Sequence, residues 1–255
     1  MLDVTPIPVL SDNYTWLLRA PKGSNAVIVD PGAAEPVAHT IAGLGLTLTA
    51  ILVTHHHLDH VAGIEALANA EIPVYGPNDS RVPCLTHPLA AGDSCIPRGI
   101  EMEFEILAVP GHTLEHIAFF SHGLLFAGDA LFAGGCGRMF EGTAAQMQNY
   151  LAELRELPPE TKLYCGHEYT QANLAFASAV EPNNQALQQR IETVSSQRQK
   201  GGITLPSTLA EERETNPFLR WDEPEVIAQA SQHAGRKLNS PVEVFAVLRD
   251  WKDHF

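Results

Sequence analysis

Cysteine is scarce in this chain: four residues in 255, at positions 84, 95, 136 and 165. They form no CxxC pair and no disulfide-framework spacing, so the fold must rest on an ordinary hydrophobic core, with reduced thiols in structural roles. Basic side chains are also few, 16 against 30 acidic ones, and the net charge of −14 argues against a nucleic-acid partner held through a general basic surface. No apolar run approaches the ~20 residues of a membrane-spanning helix. The opening MLDVTPIPVL lacks the basic start and apolar stretch of a secretory signal, so a soluble, cytoplasmic protein with no membrane partner is expected. There is no GxSxG elbow and no convincing Cys–His pair, which removes the common serine and cysteine nucleophiles. The 45% hydrophobic and 18% charged composition suits a globular chain of one large domain, or a large one and a small one.

The first two thirds read as strands alternating with short helices. VIVD (27–30) and AILVTH (50–55) are compact apolar runs that stop at Asp or His, as buried strands feeding a loop-borne site do. Helical spacing is read over 36–45 and again over 60–70. IAFFSHGLLFAGD (117–129) predicts two strands joined by a tight Ser-His-Gly turn. Thr143 and Gln146 form a capping box for a helix to about Arg155, and TKLYCGHE (161–168) is a last strand ending in His. Helices are then expected over 169–180, 184–199, 223–234 and 241–252, the last opened by Ser240, Pro241 and Glu243. The reading is α/β, with a catalytic domain over 1–168 and a helical domain over 169–255.

The densest signal is THHHLDH, which puts His55, His56, His57, Asp59 and His60 within six positions. Residues two apart on an extended segment share a side, so His55 and His57 point together while His56 faces away. Asp59 and His60 follow as the chain turns into a helix, and one turn can therefore serve two adjacent ions. Imidazole and carboxylate suit zinc, iron or manganese. Further ligands are sought at other strand ends: His112 after AVPG, Asp129 closing LLFAGD, and His167 closing LYCGH. The other histidines, at 39, 87, 122, 233 and 254, are read as surface residues, and His116 as core or as a support for the ligands.

HxHxDH followed by a separated His, Asp and His resembles the metallo-β-lactamase superfamily. SDNYTWLL, PGHT, GDALFAGGCGRMFEGT, YCGHEYT, EPNN, NPFLR and LRDWKDHF narrow the resemblance to its glyoxalase II (hydroxyacylglutathione hydrolase) family, over nearly the whole chain. The resemblance implies an αββα sandwich with a C-terminal helical domain. It also implies two divalent ions, most often zinc with iron or manganese as alternatives: one on His55, His57 and His112, the other on Asp59, His60 and His167, with Asp129 bridging. Two ions roughly 3.5 Å apart can share a water and bring its pKa toward neutrality, giving a bridging hydroxide that Asp59 helps to orient. Hydrolysis of an ester-like bond follows, and a thioester needs no dedicated acid because a thiolate leaves readily.

Arg249 and Lys252 lie three apart on one helical face. By themselves they read as a complement to the helix dipole. The resemblance gives them a second role, gripping the glycine carboxylate of glutathione, with Arg138 and Tyr169 as further contacts. The expected reaction is hydrolysis of S-D-lactoylglutathione and related 2-hydroxyacylglutathiones to D-lactate and glutathione, the second step of methylglyoxal disposal, by a monomer. Phe140 stands where some relatives carry a Tyr that donates to glutathione, and Glu115 where a small residue is common. Three competing readings are a single-iron glutathione persulfide dioxygenase, a nuclease or lactamase on the same scaffold, and a non-enzymatic metal-binding module. The first does not need the second ligand set or the helical extension, and the charge and absent signal oppose the second.

Overall fold

The computed structural model describes residues 2–255. They divide into two compact units, Met1–Ala108 with Glu115–Gly128, and Val109–Leu114 with Asp129–Phe255.

In the first unit β1 (Asp3–Val9), β2 (Asn13–Arg19) and β3 (Asn25–Val29) run antiparallel in turn. β3 then pairs in parallel with β4 (Thr47–Leu52), and β5 (Val74–Pro77) and β6 (His87–Leu89) continue the sheet in parallel. Parallel neighbours need a crossover, and α1 (Ala34–Gly43) supplies the one from β3 to β4. Val27, Ile28 and Val29 are all buried, which is why this strand reads as a continuous apolar run and not as an alternating one. Ile28 and Ile51 pack with Val37, Ile41 and Ile64 in one core cluster. A second ladder is wholly antiparallel: β7 (Ser94–Cys95), β8 (Phe104–Ala108), β9 (Ile117–Ser121) and β10 (Leu124–Gly128). β9 and β10 are the two strands predicted from IAFFSHGLLFAGD, and His122 and Gly123 take φ of 43° and 78° at their turn.

The helix expected over 60–70 is instead two short ones, α2 (Leu58–Val61) and α3 (Ile64–Leu67). The chain turns extended at Ala68, and the break falls at Gly63, where a Cβ would lie 2.6 Å from the Pro31 carbonyl oxygen. Close approach to the loop after β3 sets this break, and helical periodicity carries no sign of it.

The second unit holds the short hairpin β11 (Leu131–Phe132) and β12 (Gly135–Cys136), then α4 (Ala144–Arg155), opened by the expected capping box of Thr143 and Gln146. β13 (Lys162–Cys165), α5 (Thr170–Val180) and α6 (Gln185–Gln199) follow. β14 (Ser207–Thr208) pairs with β13 and leads into α7 (Leu209–Thr215), a helix absent from the sequence reading although Thr208 caps it three residues ahead of Glu211. α8 (Pro224–Ala234) and α9 (Pro241–Asp253) complete the unit. Ser240 caps α9 as expected, and Glu243 accepts chiefly from the Asn239 N–H at 2.7 Å and from Arg236.

Candidate metal centre

β4 runs out into Thr54 and the histidine turn. His55 is fully buried, and its ring lies 4.7 Å from that of His57 and 4.2 Å from that of His60. His56 turns away as predicted: its Nδ1 is 3.1 Å from Asp79 Oδ2. Burial pushes the Asp79 carboxyl up, but the two-pronged Arg81 guanidinium outweighs this and holds it below the usual carboxylate range.

Asp30, at the end of β3, sets where the protons sit. It is 4% exposed, with φ 54°, and its Oδ1 accepts from Thr54 N at 2.8 Å. Its Oδ2 accepts from Thr54 Oγ1 at 2.7 Å and lies 3.1 Å from His60 Nδ1. A carboxylate only accepts, so His60 carries its proton on Nδ1. Thr54 Oγ1 spends its hydrogen on Asp30 and is 3.1 Å from His55 Nδ1, so that nitrogen is protonated as well. Both rings are left with a lone pair on Nε2, the form a metal requires. Ligand atoms of Asp30, His55 and His60 lie within 4.8 Å of one another. Because both Asp30 oxygens already accept hydrogen bonds, this trio orients imidazoles and is not a third ion site. Gly128 permits the arrangement, since with φ 49° a Cβ there would lie 2.3 Å from Thr54 Oγ1. Asn13 Nδ2 donates to Asp59 Oδ2 at 2.9 Å and holds that carboxylate beside His60, whose Nε2 is 3.6 Å away. His116, 1% exposed, packs its ring 4.5 Å from His55, while Glu115 is exposed.

The second unit carries His112, Asp129 and His167, each buried. His112 Nδ1 is 2.9 Å from the Arg138 carbonyl oxygen, which can only accept, so here too Nε2 is the ligating atom. Asp129 Oδ2 lies 3.5 Å from His112 Nε2 and 3.3 Å from His167 Nε2. Ligand bonds of about 2.0–2.1 Å in a tetrahedron place donors ~3.3 Å apart, so one carboxylate oxygen stands at ion-sharing distance from both rings. The donor set thus fits divalent metal ions. Gly137 is required alongside it, because a Cβ there would fall 1.9 Å from the Asp129 carbonyl oxygen and 3.2 Å from His112 Nδ1.

The expected substrate contacts lie in the same unit. Phe140 is exposed, with its ring 5.3 Å from His112. Tyr169 stacks on His167 at 4.5 Å and 9°. The Arg138 side chain is 56% exposed and donates from Nε to Asp253 Oδ1 at 3.1 Å. Lys252 Nζ is 3.3 Å from the Ala172 carbonyl oxygen, and burial, with the Arg249 charge second, holds its ammonium below the usual lysine range. Arg249 turns inward: it is 5% exposed, donates to the Cys136 carbonyl at 2.8 Å and Asp253 at 2.9 Å, and sits 5.0 Å over the Phe218 ring. Sequence reasoning gives no site role to Asn13, Asp30 or Asp253. Asp30 appears there only as the acid that closes VIVD, and Asn13 and Asp253 only as unremarked members of SDNYTWLL and LRDWKDHF.

The cysteines form no disulfide among the described residues. Burial pushes the Cys136 thiol to about 11 and those of Cys95 and Cys165 to about 12, so none of the three is a thiolate at neutral pH. No helix of the described residues is long and apolar enough to cross a membrane.

Comparison with known proteins agrees with this donor chemistry. The metallo-beta-lactamase superfamily model matches residues 10–167, and the model of the hydroxyacylglutathione hydrolase C-terminus matches 168–255. A hydroxyacylglutathione hydrolase of Nitrosomonas eutropha is 49% identical over 256 residues, covering 100% of both chains. One of Alkalilimnicola ehrlichii is 50% identical over 254 residues, covering 99% of each. Among solved structures, ETHE1 from Myxococcus xanthus superposes with a TM-score of 0.68 at 26% identity, over 98% of this chain and 91% of that one. TTHA1623 in a di-iron-bound form gives 0.60 at 26% identity, over 84% and 100%. The α/β fold is therefore that of the metallo-β-lactamases, and the chain belongs to the hydroxyacylglutathione hydrolase family.

Proposed function

We propose that this enzyme hydrolyses S-D-lactoylglutathione, and related 2-hydroxyacylglutathiones, to D-lactate and glutathione, the second step of methylglyoxal detoxification. The observation that carries the reading is the identity of about half of all positions, end to end, with proteins named hydroxyacylglutathione hydrolase. His55, His57 and His112 would hold one divalent ion and Asp59, His60 and His167 the other, with Asp129 shared. The three Nε2-directed rings and the Asp129 oxygen at 3.3 and 3.5 Å support this set, and TTHA1623 carries a pair of irons on the same fold. Bound divalent ions supply an acidified water and an electrophile for the thioester carbonyl at neutral pH.

The chain's own residues do the rest. Asp30 and Arg138 keep the ligand rings in their metal-binding tautomers, and Asn13 orients Asp59, which aligns the attacking water. The leaving thiol is acidic enough, about 8.5 for an ordinary thiol, to depart as a thiolate. Arg138 and Lys252 anchor the anionic end of glutathione, Tyr169 and Phe140 flank it, and Arg249 adds its charge from beneath while bracing residues 136–137. The same reading assigns residues 1–168 to catalysis and 169–255 to glutathione binding. It takes zinc as the resident ion, with iron or manganese as alternatives, and a cytoplasmic monomer as the working form.

The test is thiol release from a panel of thioesters, with and without chelator, on protein whose metal has been counted. Rapid turnover of glutathione thioesters, lost on chelation and restored by zinc, is expected. Equal or faster turnover of coenzyme A thioesters would overturn the assignment.

A further inference from the structure

The last turns of α9 touch the metal-ligand environment by a route that substrate binding does not require. Arg249 Nη1 donates to the Cys136 carbonyl at 2.8 Å and reaches the Gly137 carbonyl at 3.4 Å. Its Nη2 donates to Asp253 Oδ1 at 2.9 Å, and the same oxygen accepts from Arg138 Nε at 3.1 Å. Three consecutive residues, Cys136, Gly137 and Arg138, are therefore tied to one helix turn through two backbone carbonyls and one guanidinium. The third of them offers its own carbonyl to His112 Nδ1 at 2.9 Å.

We propose that Arg249 and Asp253 are positioning residues for His112, holding the 136–138 segment so that the Arg138 carbonyl fixes the proton of His112 on Nδ1 and leaves Nε2 to the metal. The inference rests on the reading of His112 as a ligand. A loop carbonyl orients an imidazole only as well as the loop itself is held. Cys136 is buried and the Gly137 N–H reaches the Ala130 carbonyl at 3.4 Å, but Gly137 has no side chain and the Arg138 side chain is largely exposed, so beyond Cys136 the loop has little packing of its own. The buried Arg249 fork and the Asp253 carboxylate provide the missing rigidity. Asp253 also occupies Arg138 with an internal carboxylate, so the residue that meets the anionic end of the substrate is the one whose backbone orients a ligand.

Direct partners of metal-bound histidines are worth about 10- to 100-fold in metal affinity, so a residue one contact further out is expected to be worth about 3- to 10-fold. Asp253→Ala and Arg138→Ala should each weaken one of the two ions by that factor in chelator competition and leave the other ion as in the parent. The double variant should be no worse than Asp253→Ala alone, because the Arg138 side chain bonds only that carboxylate, whereas Asp253 also holds Arg249. The imidazole Nδ1–H resonance of His112 should broaden or vanish through faster exchange in both. Lys252→Met, on the same helix turn but bonded to Ala172, should hold both ions like the parent and raise KM alone. Parent-like retention of both ions in Asp253→Ala and Arg138→Ala, or additive losses in the double variant, would overturn the proposal. The His112 resonance needs no ion, so it reads positioning even if the parent binds fewer than two ions, the result that would instead sink the functional reading.

Discussion

Replacing Asp30 by Asn exchanges one oxygen for an amide nitrogen of the same size at a site that is 4% exposed, so the effect is one of proton placement and not of packing. With the amide oxygen toward Thr54 N, where Oδ1 now accepts at 2.8 Å, the new NH2 takes the place of Oδ2. There it faces Thr54 Oγ1 at 2.7 Å and His60 Nδ1 at 3.1 Å. Every polar atom can still be satisfied, but only if both neighbours change from donor to acceptor. His60 must move its proton from Nδ1 to Nε2. The Thr54 hydroxyl must rotate to donate to His55 Nδ1, driving that proton to Nε2 as well. The flipped amide avoids this but sets NH2 against the Thr54 N–H, a buried donor facing a donor, and is disfavoured. Both imidazoles thus present N–H where a lone pair is needed, one in each proposed ligand set. At 10- to 100-fold per misdirected ring, both ions should weaken, each by about 1.4–2.8 kcal/mol. Metal retention in competition with a chromogenic chelator, at matched ionic strength, measures this. Asp30→Asn protein that keeps both ions at parental affinity would show that the Asp30–Thr54 relay does not set the tautomers.

Lys252→Met should raise KM for S-D-lactoylglutathione severalfold with metal content unchanged. In the parent, KM should climb as pH rises through the depressed Lys252 value, below the ordinary 10.5, because the ammonium is lost there while both arginines stay charged; a KM flat from neutrality to pH 10 in initial-rate assays refutes its part in binding. Glu212 is fully buried and accepts from Arg190 at 2.5 Å, Gly134 N at 2.7 Å and Asn216 at 3.0 Å, so Glu212→Ala leaves the buried Arg190 guanidinium with only the more exposed Glu211 carboxylate, 3.3 Å away, as counter-charge. A loss of about 3 kcal/mol in denaturant unfolding is expected, with Glu212→Gln losing less. Phe140→Tyr restores a donor beside His112, and one hydrogen bond of about 1 kcal/mol should lower KM severalfold without changing kcat; an unchanged KM would place residue 140 away from glutathione.

The seven proposed ligands are legible in the sequence because metal chemistry restricts the residue types and a strand fixes their phase. His55 and His57 share a side and His56 does not, and the fold turns His56 to Asp79 accordingly. The α/β class, the turn at His122 and Gly123 and the capped start of α4 follow from equally local rules. What supports the ligands is not legible. Asp30 and His60 are thirty residues apart, and only folding brings Asp30 Oδ2 to His60 Nδ1 and Thr54 Oγ1. Arg249 and Lys252 share one face of α9 by spacing alone. That one turns inward to the carbonyls of Cys136 and Gly137 while the other stays half-buried depends on what packs against the helix. The break in the helix after the histidine turn has the same origin, a contact between Gly63 and Pro31. Residue type and local periodicity say which atoms can bind a metal. Which nitrogen carries the proton, and which cation remains accessible to substrate, are settled by long-range hydrogen bonds that exist only in the folded chain.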